Sequence, residues 1–224
     1  LYAPGTSVET DTISEQLFKE WALRSVAIKP YPICHFNHAP VDAALELKQQ
    51  HALTPDKIES VTVLLDERQF GVVVNPIESK RVPQSEYDAK FSVPYAVATA
   101  LCKGQFGLAD LEDEARLDAE VLALAQRVDC AHDERSHYPE AFSGGVSLTL
   151  KDGTRLEHFL TVNRGAEGQL LSADQVREKF LANCGLTISN ESALATWDML
   201  MQLDEVNNVT GLMALLRTEA NSAG

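Results

Sequence analysis

From Lys29 to Ala44 the chain reads Lys-Pro-Tyr-Pro-Ile-Cys-His-Phe-Asn-His-Ala-Pro-Val-Asp-Ala-Ala, so an ammonium group, a thiol, two imidazoles and a carboxylate share one short segment. An ammonium can hold an anionic group, and an imidazole, thiol or phenol can give or take a proton. Together such groups could hold an anion and move protons beside it. Pro30 and Pro32 fix their own φ and push Lys29 and Tyr31 toward extended conformations, which makes a stiff lead-in that pre-positions its polar groups. A helical turn across Cys34 to Asp42 would stack Cys34, His38 and Asp42 on one face, and Pro40 points to a regular helix that starts only there.

The candidate catalytic groups are therefore Lys29, Cys34 and His38, with His35 read as structural or exposed. Cys34 can serve only if the neighbouring imidazoles or Lys29 lower its pKa. Tyr95 and Lys90, in a later apolar segment, are candidates for a proton donor and a second anion contact. Each also has a plain structural reading. Lys29 can sit solvated at a strand end, Cys34 can be a small buried hydrophobe, His38 can cap the helix, and Tyr95 can be a core tyrosine with a bonded hydroxyl. A zinc site from Cys34, His35, His38 and Asp42 is a further alternative, although the spacing fits no common module.

The formal charge of -14, with no basic run longer than Lys80-Arg81, argues against nucleic-acid binding. No run of about 18 apolar residues suggests a membrane span, and Leu-Tyr-Ala-Pro-Gly-Thr at the start lacks the order of a signal peptide. Cysteines at 34, 102, 130 and 184 show no CxxC spacing, which fits free thiols in a reducing cytosol. A length of 224 residues allows one large domain or two small ones, and Leu at position 1 raises the expectation of a fragment.

The elements that must position these groups follow from periodicity. Asp11 to Ser25, Val41 to Ala52, Asp88 to Lys103 (closed by Gly104) and Asp110 to Val128 read as helices, and Ile58 to Leu65 as a strand. Gly71 to Val82 has no clear period and reads as loop or short strand, and His132 to His137 as a polar surface linker. Val146–Leu150 and Arg155–Thr161 flank Asp152-Gly153, a hairpin signal that suits a type I′ turn. Ser172-Ala-Asp-Gln175 resembles a capping box for a helix ending at Cys184-Gly185, with two more helices around Glu191–Leu203 and Val209–Thr218. This order, without a regular βαβ repeat or a Gly-rich phosphate loop, predicts an α+β fold with a small mixed sheet and packed helices.

Lys29-x-Tyr-Pro-x-Cys-x3-His-x3-Asp-Ala-Ala, followed by Asp88-Ala-Lys-Phe-Ser-Val-Pro-Tyr-Ala-Val-Ala98 and the late hairpin with its Ser172-led helix, resembles the MmgE/PrpD family. That family includes 2-methylcitrate dehydratase, cis-aconitate decarboxylase and iminodisuccinate epimerase. The resemblance implies a cytoplasmic, homodimeric lyase of about twice this length that acts on a small polycarboxylate without a metal or other cofactor. It pairs an N-terminal all-helical domain, missing here, with an α+β domain. Residues 1–25 would then link to the helical domain, 26–185 form the α+β domain, and 186–224 supply terminal helices that pack on the helical domain. The resemblance gives Lys29 an active-site lysine role and Tyr95 an active-site tyrosine role. His38 and Asp42 fall on recurrent polar positions, and Cys34 stands where the decarboxylases have a histidine. Elimination of water is the expected reaction, with decarboxylation or epimerisation as alternatives. A catalytically silent assembly domain is the other reading, since Trp197, Met199, Leu200, Met201 and Leu203 need a cover.

Overall fold

The β-rich run Ile58–Leu65 forms strand β1, whose Ile58, Val61, Val63 and Leu65 are fully or almost fully buried. In a computed structural model, which describes residues 18–19, 21 and 26–217, β1 is an inner strand of a four-stranded sheet. β2 (Val128–His132) pairs with it in parallel on one side and β3 (Gly144–Leu150) antiparallel on the other. β4 (Arg155–Leu160) closes the order β2-β1-β3-β4 through an antiparallel β3–β4 hairpin. A parallel pair needs a long crossover, and residues 66–127 supply it as a helical excursion.

Helix α1 (His38–His51) packs on β3 and β4 and against α2 (Val93–Lys103), which packs in turn on α3 (Ala119–Ala125). Four shorter helices, Phe70–Val73, Ile77–Arg81, Glu86–Lys90 and Asp113–Arg116, fill the rest of the crossover. The core lies between sheet and helices, where Val41, Ala44, Val63, Val97, Leu101, Val146 and Leu148 have no exposed surface. Gly144 lets the first turn of α1 lie on β3, because a Cβ there would come 2.9 Å from Pro40 Cδ. After β4 the chain makes α4 (Ala173–Cys184), α5 (Asn190–Leu200) and α6 (Thr210–Leu215), which pack on one another in sequence order. Met201, Leu203, Val209 and Met213 remain exposed on this terminal group.

The α+β class, β1, the β3–β4 hairpin and the Ser172–Gln175 capping box agree with the sequence reading. Several details differ. Helix α1 starts at His38, two residues before Pro40, because the first four N–H groups of a helix have no partner and a proline among them forfeits nothing. Residues 71–82 are helical turns rather than loop or strand. The Asp88–Lys103 helix is broken at Ser92, whose Oγ accepts from the Tyr95 N–H at 3.0 Å and starts α2 afresh. Asp118 does the same inside the expected 110–128 helix, accepting from Glu120 N–H at 2.9 Å, and Val128 opens β2 instead of ending that helix. At the hairpin only Gly153 has positive φ, at 86°, and the Gly153 N–H reaches the Leu150 carbonyl at 2.9 Å. That is a three-residue loop of type I with a glycine bulge, not a type I′ turn. The Asp11–Ser25 helix lies outside the described residues, apart from Phe18, Lys19 and Trp21.

Candidate active site

The proline lead-in is pinned from both ends. The Ile28 N–H donates to the Gly165 carbonyl at 3.0 Å, and Gly165, at φ 87°, lies so close that a Cβ would come 2.0 Å from Ile28 O. Lys29 folds back to donate from Nζ to the Ile33 carbonyl at 3.1 Å. At the other end the Cys34 N–H donates to the Lys90 carbonyl at 2.8 Å, and Asn37 Nδ2 reaches the same oxygen at 3.4 Å. Lys90 thus supports the segment through its backbone, while its ammonium pairs with Glu86 at 2.5 Å.

Cys34 precedes a short 3-10 turn, His35–Asn37, so it does not stack with His38 and Asp42 on one helix. It stays half-buried with a thiol pushed up by burial, against weaker lowering by the Phe36 N–H and Lys29. It is therefore a protonated thiol at neutral pH, the reverse of the lowering that a nucleophilic role would need. His38, the first residue of α1, has no exposed surface. Burial, then the nearby His35 and Lys29, push its pKa down to about 3. Its Nε2 lies 3.3 Å from the Ile33 carbonyl, an oxygen that only accepts, so Nε2 carries the proton and the buried Nδ1 has no partner among the described residues.

His35 is the more available imidazole. Its ring stacks on Phe142, with centroids 4.6 Å apart and planes 22° apart, and lies 4.9 Å from the His38 ring. Asn163, with no exposed surface, brings its Nδ2 within 2.7 Å of His35 Nε2 and within 3.1 Å of the Arg164 carbonyl. Because that carbonyl needs a donor, the amide NH2 end must face both, and His35 Nε2 must accept. The remaining proton then sits on Nδ1. Burial and then Lys29 hold the His35 pKa below its usual value, so the ring is neutral at pH 7. Such a ring can donate from Nδ1 but has no free lone pair with which to act as a base.

A second group stands behind the first. Asp42, almost fully buried, accepts from the Tyr31 hydroxyl at 2.5 Å and from Arg164 at 3.1 Å (Nε) and 2.8 Å (Nη2), while Arg164 Nη2 also reaches Tyr31 Oη at 2.6 Å. Burial and the Asp42 charge both push the Tyr31 phenol upward, so it remains a donor. This hydrogen-bonded ion pair, buried at Asp42 and half-buried at Arg164, locks the lead-in, α1 and the loop after β4 to one another.

Two predicted residues fall elsewhere. Tyr95 has no exposed surface and gives its hydroxyl to the Asp110 carbonyl at 2.5 Å, with Phe106 between its ring and that of Tyr31. The Lys90 ammonium is engaged with Glu86. Conversely, α4 adds a cation that sequence spacing did not reveal. Lys179 Nζ donates to the Lys29 carbonyl, and burial and then Lys29 lower its pKa. Neither Lys29 nor Lys179 has a carboxylate within ion-pair distance among the described residues. No cluster of three or more His, Cys, Asp or Glu suited to a metal ion occurs among the described residues, which leaves the zinc alternative without a ligand set there.

Comparison with known proteins sets this geometry in context. Residues 31–205 match the MmgE/PrpD C-terminal domain. Cis-aconitate decarboxylase from Mus musculus is 25% identical over 209 residues, which covers 88% of this chain and 41% of that protein. 2-Methylcitrate dehydratase from Escherichia coli K12 is 27% identical over 153 residues, covering 64% and 31% respectively. A 2-methylcitrate dehydratase-like protein, oryR, from Aspergillus oryzae is 26% identical over 186 residues, covering 78% and 37%. The chain spans less than half the length of each of these relatives. No helix among the described residues is long and apolar enough to cross a membrane.

Proposed function

The chain belongs to the MmgE/PrpD family, and from that premise we propose that it is the C-terminal part of a lyase that eliminates water from a small tricarboxylate-like acid, with 2-methylcitrate dehydratase as the nearest activity. The observation that carries this reading is the closeness of two ammonium-bearing residues, Lys29 and Lys179, without carboxylate partners among the described residues, beside a neutral His35 fixed as a donor. Lys29 anchors a substrate carboxylate and stabilises the negative charge that builds on it as the neighbouring C–H bond breaks. The un-ionised Cys34 thiol gives its proton to the departing hydroxyl, which leaves as water and leaves a thiolate, while His35 Nδ1–H hydrogen-bonds the leaving oxygen without releasing its proton. The base that takes the carbon-bound proton comes from a region equivalent to the part of the relatives that this chain does not span. Tyr31, Asp42 and Arg164 hold the lead-in in register and do not touch the reacting atoms.

Decarboxylation is the second reading, favoured by one observation: the match to the mouse decarboxylase covers more of this chain than the match to the bacterial dehydratase does. The two readings are separated by incubating a protein of the relatives' full length, carrying this chain, with 2-methylcitrate and with cis-aconitate. Alkene formation from 2-methylcitrate supports the dehydratase, CO2 release from cis-aconitate supports the decarboxylase, and turnover of neither overturns the lyase reading.

A further inference from the structure

We infer that the cleft between the Pro30–Pro32 lead-in, the 105–108 loop and α4 is a binding site for a small organic carboxylate with a hydrocarbon flank, with Arg164 and Lys179 as its cations. The cleft has a volume of about 370 Å³; it shares Lys179 with the proposed lyase site but includes none of Lys29, Cys34, His35 or His38 in its lining, so binding here is testable apart from turnover.

Its two cations are presented differently. Arg164 is held rigid: Nε and Nη2 are spent on Asp42 and Tyr31, while Nη1 makes no hydrogen bond among the described residues. A guanidinium held on one edge by buried partners offers its other edge with little entropy left to lose on binding. Lys179 is partly buried and repelled by Lys29, with no carboxylate within ion-pair distance among the described residues, so an anion beside it relieves an existing repulsion. Gln175, on the same wall, has its Oε1 taken by the Ser172 N–H at 2.9 Å, which leaves its NH2 group as a donor. Phe106, Leu108 and Leu171, with Pro30, Pro32 and Ala182, give the cleft an apolar wall, a division of polar and apolar groups that suits a carboxylate on a short carbon skeleton better than a compact inorganic anion. Glu178 is the one carboxylate among the lining residues.

A larger cleft of about 880 Å³ also meets Arg164, but it is the poorer anion site. Asp42 and Glu46 lie in its lining, and its Lys48 is already bound to the Leu53 and Leu101 carbonyls at 3.0 and 2.7 Å.

The test is titration calorimetry of the protein with three probes: methylsuccinate, its dimethyl ester and inorganic phosphate. Saturable binding of methylsuccinate, with the ester silent and phosphate weaker, is the expected result. Lys179→Gln, which leaves the buried Asp42 network intact, should weaken methylsuccinate on the order of tenfold or more, the scale of one charge-assisted hydrogen bond. Arg164→Gln should weaken it at least as much, and His35→Ala should leave it within about twofold on the same scale. No saturable binding, phosphate binding as tight as methylsuccinate, an unchanged affinity in Lys179→Gln, or a loss in His35→Ala comparable with that in Lys179→Gln would each overturn the assignment.

Discussion

Replacing His38 by Gln should flatten the acid limb of the stability curve. His38 is enclosed by Tyr31, whose ring centroid lies 5.5 Å away, by His35 and by the Ile33 carbonyl, with Lys29 and Lys179 as the nearby cations. Its pKa falls from 6.5 to about 3 in the fold. The unfolded chain therefore binds a proton between these values that the folded chain refuses. The native advantage is complete above pH 6.5 and is lost progressively as the pH falls toward 3. One proton changes stability by ~1.4 kcal/mol per pH unit in that window, so moving from pH 7 to pH 5 costs about 2 kcal/mol through His38 alone. Gln keeps a donor for the Ile33 carbonyl but cannot titrate. Urea unfolding at pH 7, 6 and 5 should show the unmodified protein losing about 2 kcal/mol more than His38→Gln over that range. His35, whose pKa is also lowered, acts in the same direction in both proteins and cancels in the comparison. Parallel stability losses in the two proteins would refute the buried, neutral assignment.

Other outcomes follow from the same geometry. Long-range proton–nitrogen spectra of His35 should report the Nδ1–H tautomer at pH 7, and Asn163→Ala should release it to a mixture. An Nε2–H ring or an imidazolium in the unmodified protein would contradict the hydrogen-bond assignment. Gly165→Ala should destabilise by about 1–3 kcal/mol, because Ala must adopt a left-handed backbone and clash with Ile28 O. Calorimetric or denaturant unfolding would measure it, and a neutral effect would show that the lead-in is not anchored there.

Much of the scaffold was legible because its signals are local. Ile58–Leu65 carries its own β pattern, Ser172 and Gln175 cap a helix within one turn, and Asp152-Gly153 marks a hairpin even though the bulged turn differs from the expected one. What was not legible depends on distant partners. β2 is Val-Asp-Cys-Ala-His, whose first residue reads as the end of a helix and whose last as the start of a polar linker, and it becomes a strand because β1 offers an edge in parallel. Helix breaks at Ser92 and Asp118 were visible as capping residues, but the apolar periodicity on either side masked them.

The candidate site divides in the same way. Lys29, Cys34 and His38 could be read from one segment, yet spacing alone favoured His38 over His35. Burial reverses that order: His38 starts α1 facing the core, whereas His35 turns toward Phe142 and Asn163. Asn163, Arg164 and Lys179 join from more than a hundred residues away and carry no motif of their own. Tyr95 looked available on an apolar helix, but α2 is buried all round, so its hydroxyl closes on Asp110.

The most direct measurement of the central claim is turnover by a protein of the relatives' full length carrying this chain, with Lys29 intact and with Lys29→Ala, assayed on 2-methylcitrate and cis-aconitate. The account predicts measurable turnover that falls on the order of a hundredfold or more in Lys29→Ala with the fold preserved, the scale of losing one charge-stabilising donor. Near-normal turnover by Lys29→Ala would contradict it.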